Sequence, residues 1–407
     1  MNITRKGFLA GSLAGLVCGI VGPVTASAQQ GPYRIGVLTD LSGNYADAAG
    51  RGTIVAAQMA IDELGGTVGG RKVELLQADH QNKPDVGSTT ARRWFDQDNV
   101  GAVFEMVSSS VALAVQEIAR EKGKITVATG AATSALTAKA CSPTGMHWVY
   151  DTYSLANSTA LEMVNRGGDT WFFITADYAF GHALQADATA LIEKNGGKVI
   201  GSVKHPLGTV DFSSFLLQAQ ASGAKVIAFA NAGKDFSSSI SQAGEFGVGA
   251  ASGQQLAALL VTLSEAKAIG LEAAQGLYLT EAFYWDTNDE TRAWSASFEA
   301  KHGSKPTSFH AGTYSAVRHY LRAVQAAGTD DGKQVAAKMR EMPVDDMFAR
   351  GGKVRQDGRM VHDMLFAQIK TPAESKGPWD LYRIVNKVSG DKAFRPLNAG
   401  GCPIVAN

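Results

Sequence analysis

The chain of 407 residues carries 38 Lys and Arg against 38 Asp and Glu, so its formal net charge is +0. A hydrophobic content of 45% and a charged content of 19% are globular values and exclude a disordered or fibrous chain. A neutral chain is also poorly suited to nucleic acid or an anionic membrane surface, so neither is expected as a partner. Domains usually contain roughly 100–200 residues, and the length therefore predicts two.

The first 28 residues have the features of a secretory signal peptide. Arg5 and Lys6 give a positive start, residues 8–24 are apolar and small, and residues 26–28 (Ala-Ser-Ala) resemble an A-x-A cleavage site. The apolar run is short for a membrane span. We therefore expect export to the periplasm with cleavage after Ala28. The Arg-Lys pair leaves open whether the Sec or the twin-arginine route is used.

Two cysteines, Cys141 and Cys402, remain after this cleavage. In an oxidising compartment two cysteines usually pair, so a disulfide between them is predicted. Two separate buried thiols are the alternative that the sequence leaves open.

Strands alternate with helices along most of the chain. Short apolar and β-branched runs predict strands at residues 33–39, 72–78, 100–106, 125–128, 171–175, 199–204, 226–230, 256–261 and 277–280. Helical spacing of apolar residues predicts helices at residues 54–64, 84–97, 111–122, 184–194 and 215–222. Such alternation favours parallel sheets with helices on both faces. Two sets, on either side of residue 150, predict an α/β fold with two Rossmann-like doubly wound lobes.

The last third has a different pattern. Helices are predicted at residues 291–302, 311–327 and 333–341. Residues 351–369 are typical of a hairpin with Asp-Gly at its turn, and residues 379–388 of a further strand.

Enzyme motifs are missing from the sequence. Residues 50–52 begin a Gly-x-Gly pattern, but Val55 occupies the place of the third glycine, and a turn is the favoured interpretation. The chain has no nucleotide P-loop motif, and no G-x-S-x-G motif follows the cleavage site. The 8 histidines include no H-x-x-x-H pair, so a zinc site is not expected. We predict neither catalytic residues nor a cofactor.

Polar loops after several predicted strands are better candidates, because ligands bind at the carboxyl ends of strands in doubly wound sheets. Residues 108–110 (Ser-Ser-Ser) and 129–133 (Thr-Gly-Ala-Ala-Thr) follow two strands of the first lobe. Hydroxyl and N–H groups at a helix start can bind a carboxylate, although such residues also serve simply as caps. Residues 175–181 and 229–235 are the corresponding loops of the second lobe. The aromatic cluster at 283–285 is more typical of core or hinge packing.

The chain resembles the periplasmic substrate-binding proteins of branched-chain amino-acid ABC importers, the leucine/isoleucine/valine-binding family. The matching segments extend over nearly all of the chain after the cleavage site and lie at residues 35–43, 52–66, 79–84, 177–181 and 311–316. The resemblance implies the type I periplasmic binding protein fold, in which three crossovers join two lobes that close around a ligand. It also implies delivery of a small solute to a membrane permease, without chemistry.

The resemblance also assigns ligand contacts. The positions that match the loops for the substrate carboxylate are Ser108, Ser109, Thr129, Ala131 and Thr133. Tyr153 and Phe180 match positions near the ligand from the second lobe. Beyond the resemblance, we expect the rings of Tyr153, Tyr178, Phe180 and Tyr284 to cover the apolar part of the ligand as the cleft closes. Asp235 matches the acid that the family uses for the α-amino group.

One loop departs from the amino-acid binders of this family. Around Tyr45 and Asp47 it differs in length and contains the small residues Ala48 and Ala49, which predicts a pocket of altered shape. Related proteins also bind aromatic carboxylates and other small acids or amides. The ligand is therefore expected to be a small carboxylate, either an amino acid or an aromatic or aliphatic acid.

The expected lobe boundaries follow from this resemblance. Lobe one comprises residues 31–151 and 283–345, lobe two comprises 152–282 and 346–390, and the tail 391–407 returns to lobe one. The leading hypothesis is a monomeric transport binding protein that works with an ABC importer permease. A ligand sensor of the same fold and an exported hydrolase are the alternatives.

Overall fold

The computed structural model describes residues 31–405, together with Met1 and Gly7. The rest of the predicted signal peptide lies outside the described residues. The folded body begins at Pro32. Among the helices of the described residues, none combines the length and the hydropathy that a membrane span requires.

The strands follow the predicted alternation. In chain order they are β1 (Tyr33–Thr39), β2 (Thr67–Val68), β3 (Arg71–Asp79), β4 (Val100–Glu105), β5 (Ile125–Ala128), β6 (Gly145–His147), β7 (Thr170–Ala176), β8 (Lys198–His205), β9 (Val226–Ala230), β10 (Gln255–Ala258), β11 (Tyr278–Glu281), β12 (Lys353–Val354), β13 (Met360–Val361), β14 (Met364–Ile369) and β15 (Tyr382–Val388).

Helices connect most of these strands. They are α1 (Gly50–Glu63), α2 (Pro84–Asp96), α3 (Ser109–Lys122), α4 (Thr152–Asn165), α5 (Ala179–Lys194), α6 (Ser213–Ala221), α7 (Lys234–Glu245), α8 (Leu263–Ile269), α9 (Leu271–Ala274), α10 (Asp289–His302), α11 (Ser308–Ala327), α12 (Gly332–Glu341) and α13 (Gly390–Ala393). Short 3-10 helices occur at Ser134–Thr137, Ala250–Ser252 and Leu397–Ala399.

Two largely parallel sheets organise the molecule. The first has the strand order β2-β3-β1-β4-β5-β6, and only the β2–β3 pair is antiparallel. The second has the order β10-β9-β7-β8 and is parallel throughout. Strands such as β5 and β9 are buried along their whole length, as expected for parallel strands covered on both faces.

Each of the two sheets, with the elements packed on it, forms one half of the molecule. The last third of the chain contributes to both halves. Helices α10 and α11 pack on α1 and so extend the helix layer of the first sheet. Gly52 shows how close this packing is, because a Cβ atom there would lie 2.2 Å from Nε2 of His310 on α11. The Gly-x-Gly at residues 50–52, for which a turn was favoured, forms the start of helix α1.

A small antiparallel sheet with the order β11-β14-β15 shares its apolar core with the second sheet. The predicted hairpin at 351–369 is only partly right. Strands β12 and β13 do pair as a hairpin, but β14 leaves it to pair with β11 and β15. The hairpin lies beside the first sheet, since His147 of β6 forms a bridge with Arg359.

The chain passes between the two halves at residues 148–151, 282–288 and 362–363. The third passage and the hairpin before it bind the first passage: Nη1 of Arg359, in the hairpin, donates to the carbonyl oxygen of Tyr150 at 2.7 Å, and Nε2 of His362 lies 2.6 Å from that of Val149. Arg359 is fully buried and its guanidinium also lies over the ring of Phe394. The first and third crossovers are thus hydrogen-bonded to each other rather than forming independent linkers.

A disulfide ties the C-terminal tail to the loop before β6 of the first sheet. Cys141 and Cys402 form a disulfide, which confirms the predicted pair. Before it, the guanidinium of Arg395 binds Asp187 on α5, and Oδ2 of Asp187 also accepts hydrogen bonds from Ser134 and Thr152. The tail therefore contacts both halves of the molecule.

Candidate functional site

A pocket lies where the carboxyl ends of strands from both sheets meet. The space between its walls amounts to about 290 Å³ including solvent at the mouth, but the centre of a water molecule can occupy only about 10 Å³ of it, so the walls lie close together. Loops after β1, β4 and β5 form one wall, and loops after β7, β9 and β10 form the other. The lining residues are Tyr45, Ala48, Val107, Gly130, Ala132, Tyr150, Tyr178, Phe180, Ala232, Leu260, Thr262, Glu265 and Phe309.

Five of the residues that line the pocket are aromatic. The hydroxyl of Tyr45 on the first wall hydrogen-bonds the hydroxyl of Tyr178 on the second. The ring of Tyr178 lies 5.9 Å from that of Phe180, and the ring of Tyr150 lies 5.6 Å from that of Phe309. Alanines and a glycine fill the spaces between the rings. Such a surface suits an apolar or aromatic side group of a small ligand.

Glu265 is the charged group of this lining. It is buried, and its carboxylate accepts the N–H groups of Thr262, at 2.5 Å, and of Gly233. Burial raises the pKa of Glu265, and these hydrogen bonds partly oppose the rise. No Lys, Arg or His lines the pocket among the described residues. The polar side of the pocket therefore suits a hydrogen-bond donor or a cation.

Two further buried carboxyl groups lie near the pocket. Burial raises the pKa of both Glu105 and Glu281 to about 8. The pKa of the Tyr150 phenol is raised by burial and, in addition, by the charges of Glu281, Glu265 and Glu105. Oε2 of Glu105 accepts the N–H of Val107 at 3.0 Å, while Oε1 has no hydrogen-bond partner among the described residues. Glu105 also has a φ of 79°, a left-handed value that is unfavourable for a residue with a Cβ atom.

The pocket has no metal-binding character. Within residues 31–405, no group of three or more His, Cys, Asp or Glu side chains is arranged to hold an ion. What the geometry provides is a small enclosed space with an aromatic surface and one acidic group.

Residues 32–378 of the chain match the sequence model of a protein family, the periplasmic binding proteins. The chain belongs to this family. A periplasmic binding protein from Burkholderia mallei is 43% identical to it, with a TM-score of 0.90 over 92% of this chain and 99% of that one. A branched chain amino acid ABC transporter periplasmic ligand-binding protein from Burkholderia xenovorans is 38% identical, with a TM-score of 0.81 over 91% and 99%.

A Leu/Ile/Val-binding protein homolog of Brucella suis is 25% identical over 333 residues, which cover 75% of this chain and 78% of the relative. The predicted resemblance to the leucine/isoleucine/valine-binding proteins is thereby confirmed. The predicted fold class, the type I periplasmic binding protein fold with two Rossmann-like lobes and three crossovers, is confirmed as well.

The structure places two predicted ligand residues of this binding protein directly on the pocket. Tyr178 precedes α5 and Phe180 lies in its first turn, and both rings line the pocket. Their loop was located by the rule that ligands bind at the carboxyl ends of strands.

The predicted carboxylate loops border the pocket, but other residues of these loops line it. Val107, Gly130 and Ala132 face the space, whereas their predicted neighbours make internal contacts. Oγ of Ser109 accepts the N–H of Thr133 at 3.2 Å. The Thr129 hydroxyl hydrogen-bonds the Thr313 hydroxyl at 2.8 Å. The Ala131 carbonyl oxygen hydrogen-bonds His147, and the Thr133 hydroxyl accepts the N–H of Ala135.

Ser108 is the exception among these loop residues. It is buried at the position before α3, and its hydroxyl has no hydrogen-bond partner among the described residues. The first N–H groups of a helix have no partner within it. Ser108 and the start of α3 therefore provide unused hydrogen-bonding groups next to Val107 of the pocket.

Three predicted residues lie outside the lining of the pocket. The ring of Tyr153 lies 5.0 Å from the guanidinium of Arg395. Tyr284 donates to the carbonyl of Trp379 at 3.3 Å and lines a separate cavity at the crossovers. Asp235 is buried and accepts the N–H of Gly208 at 3.0 and 3.2 Å, and burial raises its pKa to about 7.

Sequence reasoning did not assign the acid that lines the pocket. Glu265 follows β10 in the sequence Thr262-Leu-Ser-Glu265, and this spacing is a capping box: Thr262 caps α8 and Glu265 bonds back to it. A polar helix start directly after a strand is the same signal that located the other loops. Applied to residues 259–265, it would have found Glu265. Tyr45 and Tyr150 had no comparable signal as ligand residues.

Proposed function

We propose that this protein is an extracytoplasmic solute-binding protein, which captures a small carboxylate in the pocket between its lobes and delivers it to an ABC importer permease. The observation that carries the proposal is the pocket itself, formed jointly by strand ends of both sheets and bridged by the Tyr45–Tyr178 hydrogen bond. Binding there requires no chemistry. Export of a monomer to the periplasm and cleavage after Ala28 are part of the same proposal.

The ligand that this pocket favours is an α-amino acid with an apolar side chain. A buried carboxylate without a neighbouring basic side chain in the lining is a natural partner for an ammonium group, because an unpaired buried charge is costly. The unused Ser108 hydroxyl and the start of α3 can receive the ligand carboxylate. The aromatic surface would then cover the side chain. Glu265 takes the role that the sequence analysis gave to Asp235.

The two lobes of this proposal keep the expected boundaries with one change. Lobe one comprises residues 31–151 and 283–361, because the hairpin of β12 and β13 lies beside β6. Lobe two comprises residues 152–282 and 362–390.

Calorimetry with two matched probes tests the ligand class. L-Leucine carries both an ammonium and a carboxylate, whereas benzoate carries a carboxylate and a ring without an amine. We expect L-leucine to bind and benzoate to bind at least tenfold more weakly, a difference of about 1.4 kcal/mol. Binding of benzoate alone would refute the amino-acid assignment. Binding of neither, nor of any other amino acid or small acid, would refute the carboxylate proposal.

A further inference from the structure

Helix α7 has its N-terminal cap on the other side of the cleft. The residue before it is Gly233, which has no side chain to cap the helix. Asn44, in the loop after β1, takes this role. Its Oδ1 accepts the N–H of Asp235 at 3.1 Å, its backbone oxygen accepts the N–H of Lys234 at 3.2 Å, and its Nδ2 donates to the carbonyl of Ala232 at 3.0 Å.

Gly233 is shaped for this contact. Its φ is 69°, a value that residues with a Cβ atom rarely adopt. A Cβ atom at this position would lie 2.5 Å from the backbone oxygen of Asn44 and 2.8 Å from its Nδ2. Any side chain at 233 would therefore displace Asn44. The N–H of Gly233 also binds Glu265, so the capped segment adjoins the acidic side of the pocket.

Asn44 does not line the pocket, yet it joins the first sheet's loop to the second sheet's loop. Hydrogen bonds between two bodies exist only in the arrangement that brings them together. A contact made in only one of two conformations shifts the equilibrium toward that conformation. It therefore raises the apparent affinity of any ligand that binds to that conformation.

We propose that Asn44 is a positioning residue that caps α7 across the cleft and thereby sets how much of the protein is closed. The inference rests on the proposed function only in assuming that a bound solute favours the same closed arrangement. It is separate from ligand contact, which Tyr45 and Glu265 provide.

Amide hydrogen exchange at Lys234 and Asp235 tests the cap, in ligand-free protein and with saturating L-leucine. In Asn44→Ala the amide of Asp235, which loses its side-chain acceptor, should exchange about fivefold to tenfold faster than in wild type, the effect expected for losing an N-cap. The amide of Lys234, whose acceptor is the backbone oxygen of residue 44, should change less. Affinity for L-leucine should fall by a similar factor. Asn44→Asp keeps an acceptor for the N–H of Asp235 and should recover part of the protection.

Asp331→Ala is the matched control, because Asp331 caps α12 from its own segment by accepting the N–H of Gln334 at 2.9 Å. This variant should lower the melting temperature of the ligand-free protein without changing exchange at Lys234 and Asp235 or the affinity. Gly233→Ala should repeat the effect of Asn44→Ala.

The outcomes separate the cap from the proposed function. If Asn44→Ala and wild type show equal exchange at both amides in both conditions, the cap is refuted. If no variant binds L-leucine, the proposed amino-acid ligand fails, and the exchange difference in ligand-free protein still decides the role of Asn44. A fall in melting temperature in Asn44→Ala, with unchanged exchange at α7, would make Asn44 a merely structural residue and overturn the inference.

Discussion

The hydroxyl groups of Tyr45 and Tyr178 hydrogen-bond each other across the pocket, one from the loop after β1 and the other from the position before α5. A chemically identical pair lies elsewhere, where the hydroxyls of Tyr33 on β1 and Tyr320 on α11 are 2.6 Å apart. The second pair is buried within the first half and does not line the pocket. Among the described residues, one pair of hydrogen-bonded tyrosine hydroxyls thus joins the two halves, and a second such pair lies inside one half.

Removing one hydroxyl from each pair distinguishes an effect on closure of the two halves around the ligand from an effect on folding stability. Tyr178→Phe leaves the ring in the pocket but removes the bridge, and the affinity for L-leucine should fall by about 0.5–1.5 kcal/mol, the usual contribution of a hydrogen bond. Tyr320→Phe should lower the melting temperature and leave the affinity unchanged. Calorimetry and thermal unfolding of both variants provide the measurement. Equal affinity losses in the two variants would argue against a role of the bridge in closure.

Removing the charge of Glu265 tests its assignment to the ligand amine. Glu265→Gln preserves the capping box, since Gln can bond back to the helix start as Glu does. We expect it to weaken L-leucine binding by about 2–5 kcal/mol, the range for truncating one side of a buried charge pair. Benzoate, without an amine, should not lose affinity.

Asp235→Asn is the companion variant, because Asp235 is a buried acid that binds the N–H of Gly208 rather than lining the pocket. It should change L-leucine affinity much less than Glu265→Gln. A larger loss in Asp235→Asn would return the amine site to Asp235.

The buried Glu105 predicts a dependence of stability on pH. Its pKa is raised by burial to about 8, whereas a carboxyl in an unfolded chain titrates near 4.3. The folded protein therefore keeps a proton that the unfolded chain has released, and stability falls as pH rises between these values. Buried histidines with lowered pKa, such as His310 and His362, have the opposite effect, but only below roughly pH 6.5, where the unfolded histidine titrates.

The informative window for Glu105 is thus pH 6.5 to 8. Across it, Glu105→Gln should gain stability relative to wild type, by at most about 1.4 kcal/mol for each pH unit. Thermal unfolding at several pH values within the window measures this difference. A constant difference for Glu105→Gln would mean that Glu105 is already ionised in the folded protein.

The disulfide predicts a loss of stability on its removal. Cys141 and Cys402 are separated by 261 residues, and removal of a native disulfide usually costs about 2–5 kcal/mol. The double variant Cys141→Ser/Cys402→Ser should therefore melt at a lower temperature than wild type. Thiol titration of the folded wild-type protein from an oxidising compartment should find both cysteines unreactive. Two titratable thiols would contradict the bond.

The sequence predicted the fold well because hydrophobic periodicity is a local property. The strand β1 was predicted with its observed bounds, and the start of α2 at Pro84 was predicted from the proline. The very short strands β2 and β6 were not predicted, because two or three residues carry too little pattern. The separation of β14 from its expected hairpin depends on pairing with the distant strand β11, which no local pattern reports.

Most of the pocket was located by loop, and only Tyr178 and Phe180 were located by side chain. The rule on strand ends found the loop of residues 129–133, yet Gly130 and Ala132 face the pocket while Thr129, Ala131 and Thr133 make internal contacts. Which side of a loop faces inward depends on its backbone angles and on packing against the other lobe. Asp235 was predicted to contact the ligand, whereas Glu265 lines the pocket, and the cause is the same. Both acids follow strand ends of the second sheet, and the sequence does not show which of them faces inward.

The bond between Cys141 and Cys402 closes a covalent ring that contains every strand from β6 to β15. A single protease cut anywhere in residues 142–401 opens this ring without releasing a fragment. On a non-reducing gel the nicked protein would keep its full mass, and it would separate into two pieces only after a reductant is added. The ring contains elements of both halves, from the strands of the second sheet to α10 and α11, which pack on α1, so one cut within it detaches neither half.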